Sequence, residues 1–141
     1  MSTAEAEDFF SIISSSEQCE AFRLFLEKRH CEENLLFWID AQQFRFTHSS
    51  VSTDTLAAQA HMIYKKYFEE TSQFYLNVDS SHTKNVRNAL DANRVNRSIF
   101  AESQRACLIL LKNDSVPKFL KSKDYVYVLH HFAYHVVLAL P

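Results

Sequence analysis

LAAQAHMIYKKYF, residues 56–68, decides the fold class. Leu56, Ala60, Ile63, Tyr64, Tyr67 and Phe68 recur at i, i+4, i+7, i+8, i+11 and i+12, one stripe of a 3.6-residue helix, with His61, Lys65, Lys66 and Glu69 outside it. The same period extends in both directions. Upstream, Phe22, Phe25 and Leu26, then Leu35, Trp38 and Ile39, predict two helices that meet near His30 and Cys31, behind a short opening helix of Phe9, Phe10, Ile12 and Ile13 that ends in the serine run 14–16. Downstream, a helix runs through Val86 to Leu90 and another carries Phe100, Gln104, Cys107, Leu108 and Leu111. The polar stretches between them predict loops and caps: Asp54 or Thr55 before the 56–68 helix, Asn77 and Asp79–Ser81 as a turn whose side chains accept from the next helix, the connector 91–98, and Asp114 or Ser115 as a cap with Pro117 in the first turn beyond.

Composition agrees. The 141 residues contain no glycine and two prolines. Hairpins, phosphate-cradling loops and dinucleotide fingerprints therefore lack their usual residue, and an all-α single domain is expected. Twelve Phe, six Tyr and one Trp supply bulk for one sizeable core. A net charge of −2, with no basic run visible in the sequence, argues against nucleic-acid binding, so partners are expected to be proteins. Cys19, Cys31 and Cys107 are odd in number and lack CxxC spacing, which fits a reduced, cytoplasmic setting. The N-terminal MSTAEAEDFF is acidic, without the apolar run of a signal peptide.

Catalytic signals are thin. His131 and His135 share a helical face, as in H-E-x-x-H sites, but FAY lies between them and no third ligand is near, so no metal and no cofactor are expected. Cys31 adjoins two glutamates, which disfavour a thiolate. What remains is a set of small polar or charged residues placed against obligatory apolar ones, in CEENLLFW (31–38), LNVDS (76–80) and DSVPKFLKS (114–122). Asn34, Asn77, Asp114 and Ser115 read first as caps and turn residues; helix ends are also where a rigid scaffold presents polar groups to a partner. The residues by themselves lead to a helical protein-interaction domain.

Together with FRLFLEK at 22–28, the order and spacing of these stretches resemble the regulator of G-protein signalling (RGS) domain over residues 9–127. The resemblance implies an RGS-type bundle of about nine helices over residues 9–127; residues 1–8 read as an N-terminal extension, and 128–141, a departure from the family, as an additional apolar C-terminal helix packed on the domain or against a partner. It implies Gα-binding by Glu33, Asn34, Asn77, Leu110, Asp114, Ser115 and Lys118, gathered at one end of the bundle, with His30 and Cys31 as neighbours. Lys118 stands where arginine is usual, keeping the charge and losing the bidentate fork, and His30 and Cys31 stand where many members carry tyrosine and serine.

The implied function is GTPase activation of heterotrimeric G-protein α subunits, in their GTP or transition-state form, without being an enzyme itself. Gα already carries an arginine in cis and a water-orienting glutamine. A partner that binds the switch regions best in their transition-state arrangement lowers the barrier by that preference. Asn77 would face the Gα glutamine and a switch threonine, and Asp114 with Glu33, Asn34, Leu110 and Lys118 would form the threonine's pocket. The alternative is an RGS-homology docking or scaffold module with little effect on hydrolysis, because fold alone does not fix activity. The implied location is cytoplasmic, at the inner face of the membrane through the partner. The apolar tail 125–141, too short and too rich in histidine for a membrane span, is a candidate for self-association or for contact with a neighbouring domain.

Overall fold

The computed structural model describes residues 3–140 and, of their side chains, those of 8–131 and 138–140. Every regular element among the described residues is helical: α1 (Thr3–Ser14), α2 (Ser16–Lys28), α3 (Glu33–Arg45), α4 (Thr53–Tyr67), α5 (Ser80–Asp91), α6 (Ala101–Leu110), a π turn (Leu111–Ser115), α7 (Val116–Leu120) and α8 (Lys123–Ala139). The chain forms two compact units, Met1–Glu32 with Leu110–Pro141, and Glu33–Ile109.

In the first unit, Phe22, Phe25 and Leu26 form the buried stripe of α2, and the rings of Phe22 and Phe25 lie 5.0 and 5.5 Å from that of Phe119 on α7. Phe9 and Ile12 of α1 are also fully buried. Tyr125 of α8 closes on Phe119 edge-on at 5.3 Å. Beyond it α8 buries Val128 and exposes Val126, Tyr127, Leu129 and Leu138, and Leu140 just past its end is exposed too. Ala133, Val136 and Val137 of the apolar tail lie outside the described side chains, as does His135.

The second unit is an aromatic core. Phe37 is fully buried and meets Tyr67, Phe68 and Phe100 edge-on, with centroids 5.2, 5.5 and 6.0 Å away. Around this cluster close Ala41, Phe44, Ala60, Leu76, Val86, Leu90 and Cys107. Polar atoms at the margin are paired. The Tyr67 hydroxyl donates to Asp40 Oδ2 at 2.5 Å, and Gln104 Nε2 donates to the Trp38 carbonyl at 3.1 Å and to Gln42 Oε1 at 2.8 Å. Gln104 thus occupies its predicted place on the α6 stripe as a satisfied core amide. Arg97 ties the connector before α6 to the carbonyls of Thr47 and His48.

A chain without glycine must still end its helices. His30 and Asn93 take the left-handed conformation, with φ of 56° and 52°. Cys31 N–H donates to Leu26 O and His30 N–H to Glu27 O, while Arg94 N–H donates to Ala89 O and Asn93 N–H to Leu90 O. Both are Schellman motifs, closing α2 and α5 with residues that bear a Cβ. The left-handed conformation costs an ordinary L-residue about 1–2 kcal/mol, partly offset in glycine by the entropy it loses on folding. His30→Gly is therefore expected to stabilise the fold by about 0.5–1 kcal/mol, read as a rise in thermal midpoint with the helical circular dichroism unchanged.

Three local expectations are corrected. Ser52, not Asp54 or Thr55, caps α4, its hydroxyl accepting from Thr55 N–H at 3.1 Å. Ser52→Ala is expected to cost about 1 kcal/mol, measured by denaturant unfolding. Neither Asp114 nor Ser115 caps a helix: Ser115 has helical dihedrals and no capping bond, and the Val116 N–H reaches back five residues to Leu111 O. Helical backbone therefore runs without a break from Ala101 to Leu120, and the described residues hold seven separate helical stretches, slightly fewer than the nine expected. Asp79 does cap α5 as predicted, accepting from Ser81 N–H at 2.8 Å. That bond holds its carboxyl below the usual 3.8. Its contribution is present at neutral pH and is lost as acid titrates it through the lowered value.

Candidate functional site

In the second unit, Glu33 and Asn34 open the first turn of α3 and are half-buried. The Glu33 carboxylate adds to burial in pushing the Cys107 thiol up to about 12, which removes that cysteine as a nucleophile. Asn77 lies in the connector between α4 and α5. Leu76 is buried, with its N–H donating to Tyr67 O at 2.8 Å, and Val78 packs against the same core. With Leu76 buried and Val78 packed on the core to either side, Asn77 is left exposed to solvent between them. Asp79 then fixes the start of α5 two residues later. The exposure of Asn77 is a consequence of packing on either side.

In the first unit, His30 is exposed at its Schellman position, and Cys31 is half-buried with Sγ 3.7 Å from Leu26 O. Arg23 holds the link that follows α2 through Glu32 at 3.2 Å, while also meeting Glu20 at 2.8 Å and Glu27 at 3.1 Å. Leu110 is 51% exposed, an unusual state for leucine immediately before the fully buried Leu111. Asp114 and Lys118 are exposed and paired, Nζ to Oδ1, at 2.6 Å across one helical turn. Ser115 is buried. Within each unit, then, the predicted residues are brought together as the neighbours Glu33 and Asn34 and as the ion pair Asp114–Lys118.

Two features escape a sequence reading. One is the π turn itself, which nothing but the lack of a helix break between Leu111 and Pro117 could have signalled. The other is Lys112, a lysine buried to 6% exposure, whose Nζ lies 5.2 Å from the centroid of the Phe10 ring.

With this geometry in place, comparison with known proteins decides the family. A profile of the regulator of G protein signaling domain matches residues 8–128, a span that runs through both units and contains every candidate residue. The chain belongs to the RGS family. Among curated relatives, Regulator of G-protein signaling 21 of Homo sapiens is 30% identical over 122 residues, covering 85% of this chain and 76% of the relative. Regulator of G-protein signaling 16 of Rattus norvegicus is 32% identical over 119 residues, 84% of this chain and 57% of the relative. Regulator of G-protein signaling 8 of Homo sapiens is 31% identical over 127 residues, 90% of this chain and 68% of the relative. The all-helical RGS fold expected from the periodicity and the resemblance is thus the fold found. Among the described residues no helix is long and apolar enough to cross a membrane.

Proposed function

We propose that this RGS domain accelerates GTP hydrolysis by a heterotrimeric Gα subunit, by binding its switch regions in their transition-state arrangement. The observation that carries the proposal is the exposed Asn77, pinned between inward-facing Leu76 and Val78 in a chain whose family match covers residues 8–128. Two sets of residues supply the contacts: Glu33, Asn34 and Asn77 from one unit, and Leu110, Asp114, Ser115 and Lys118, with His30 and Cys31 beside them, from the other. None of them enters the nucleotide site. Each tenfold of acceleration requires about 1.4 kcal/mol of preference for the transition-state arrangement, within reach of a few hydrogen bonds held rigidly before contact.

The Asp114–Lys118 pair bears on how the carboxylate is offered. An exposed ion pair across one turn adds little stability. It does fix the direction of the Asp114 oxygens before a partner arrives, which lowers the ordering cost of binding. Lysine does this with a point charge where arginine would use a planar fork.

The test is single-turnover GTP hydrolysis by a panel of Gα subunits with and without the domain, beside binding to the same subunits loaded with GDP or with GDP and aluminium fluoride. Acceleration with preferential binding to the fluoride state supports the proposal and identifies the Gα class. State-independent binding without acceleration sinks it in favour of a docking module.

A further inference from the structure

Lys112 is the charged residue least suited to its place. It sits in the π turn that carries Asp114 and Ser115, buried to 6% exposure, and its ammonium lies over the face of Phe10 at 5.2 Å. Phe10 is in turn 44% exposed on α1, with Phe9 edge-on at 5.4 Å and fully buried beside it. An aromatic ring left partly in solvent while covering the cationic end of a lysine buried to 6% exposure is the reverse of what hydrophobicity alone arranges. The attraction between a partly desolvated cation and the ring quadrupole accounts for it.

The π turn gives that contact a consequence. Its defining bond runs from Val116 N–H to Leu111 O, one residue longer than an α-helical bond. Were the segment to relax to α-helical register, every side chain beyond the turn would rotate by about 100° about the axis relative to those before it. Leu110 and Asp114 would then no longer hold their present relation. Such turns are intrinsically less favourable than α-helix, so something outside the turn must hold it. Leu111 and Ser115 are buried and contribute, but they lie on the same segment; α1, which packs directly on the turn, contributes Phe10.

We propose that Phe10 and Lys112 form a clasp by which α1 holds the π turn in register, making both of them positioning residues for the Gα contact made by Leu110 and Asp114. The inference rests on the Gα reading for its functional consequence, but not for its structural one. When the clasp is broken, the competent register becomes one of several, and apparent affinity falls by the fraction of molecules that retain it. The chemistry after binding is untouched, because neither residue faces the partner in this scheme.

The discriminating experiment compares Phe10→Ala, Lys112→Met and Lys112→Arg with the parent in two assays. The first is amide hydrogen exchange of the free domain at residues 113–116, which needs no Gα. Phe10→Ala and Lys112→Met are expected to exchange faster there and Lys112→Arg like the parent, since arginine keeps a cation over the ring and methionine keeps only the bulk. The second is the dependence of single-turnover hydrolysis on domain concentration. The half-saturating concentration is expected to rise about fivefold in Phe10→Ala and Lys112→Met, with the plateau rate within twofold of the parent and with Lys112→Arg restoring parental behaviour. Unchanged exchange at 113–116 in all three variants overturns the clasp. So does exchange in Lys112→Met that matches the parent while Phe10→Ala alone is faster, which would make the ring a packing element with no part for the charge. A parent that accelerates no Gα defeats the functional reading while the exchange result still decides the clasp.

Discussion

Asn77→Ala is expected to fold as the parent does and to lose at least about tenfold of its acceleration of Gα hydrolysis, equivalent to about 1.4 kcal/mol of transition-state preference. The fold should be indifferent because Asn77 is exposed and does not cap α5; that work is done by Asp79, whose bond to Ser81 N–H remains. Leu76 and Val78 continue to anchor the connector from either side. The loss in activity should be large because the backbone that carries the amide is anchored on either side before the partner binds, so that deleting it removes a contact for which the chain's ordering cost was already met on folding. The signature is a lower plateau rate in single-turnover hydrolysis with thermal midpoint unchanged, together with reduced discrimination between the GDP and the aluminium fluoride states. Full acceleration by a correctly folded variant would remove Asn77 from the mechanism. The contrast with the Phe10 and Lys112 variants is useful: there the concentration dependence moves and the plateau does not.

How much of this was legible in the sequence differs by scale. The helices follow from spacing, and so does the buried face of α4, because a period of 3.6 kept up over Leu56 to Phe68 has one solution that buries Ala60, Tyr67 and Phe68 together; on α3 the stripe of Leu35, Trp38 and Ile39 misses the fully buried Phe37. Caps were less legible for a local reason. SVSTDT offers hydroxyl and carboxylate acceptors in succession, and Ser52 prevails because its Oγ both accepts from Thr55 N–H and donates to Thr55 Oγ1 at 2.9 Å. The π turn was not legible at all, since its extra residue is stabilised by what Leu111, Lys112 and Ser115 bury, a tertiary matter. Phe10 and Lys112 show the limit most sharply: pattern counts the ring as core and the lysine as surface, and the structure exchanges the two. The absence of glycine excluded whole fold classes correctly, yet gave no sign that His30 and Asn93 would take over its role at two helix ends. Of the candidate site, the exposure of Asn77 matches what a turn suggests, whereas Asp114 and Lys118 are exposed within an unbroken helical stretch rather than at a helix end, and Ser115 is buried.

The largest effect on stability is expected at Phe37. Its ring is fully buried and edge-on to Tyr67, Phe68 and Phe100, so Phe37→Ala removes one member of three aromatic pairs and leaves a cavity that helices α3 and α4 cannot close without moving their other buried residues. Loss of a buried phenylalanine costs about 3–5 kcal/mol, against a total stability of about 5–15 kcal/mol for a domain of this kind. Phe37→Leu, which keeps most of the apolar volume and forfeits the ring geometry, should cost distinctly less. Chemical denaturation of the two variants beside the parent checks both statements. The effect should reach the candidate site as well, because Asn77 is held outward only while Leu76 and Val78 have a core to enter, and Leu76 closes on the same cluster as Phe37. A Phe37→Ala domain that remains folded at low temperature is therefore expected to show faster amide exchange at 76–79 than the parent. Parental exchange there, despite a lowered unfolding free energy, would mean that the Leu76 N–H bond to Tyr67 O suffices to hold the connector without the ring beneath it.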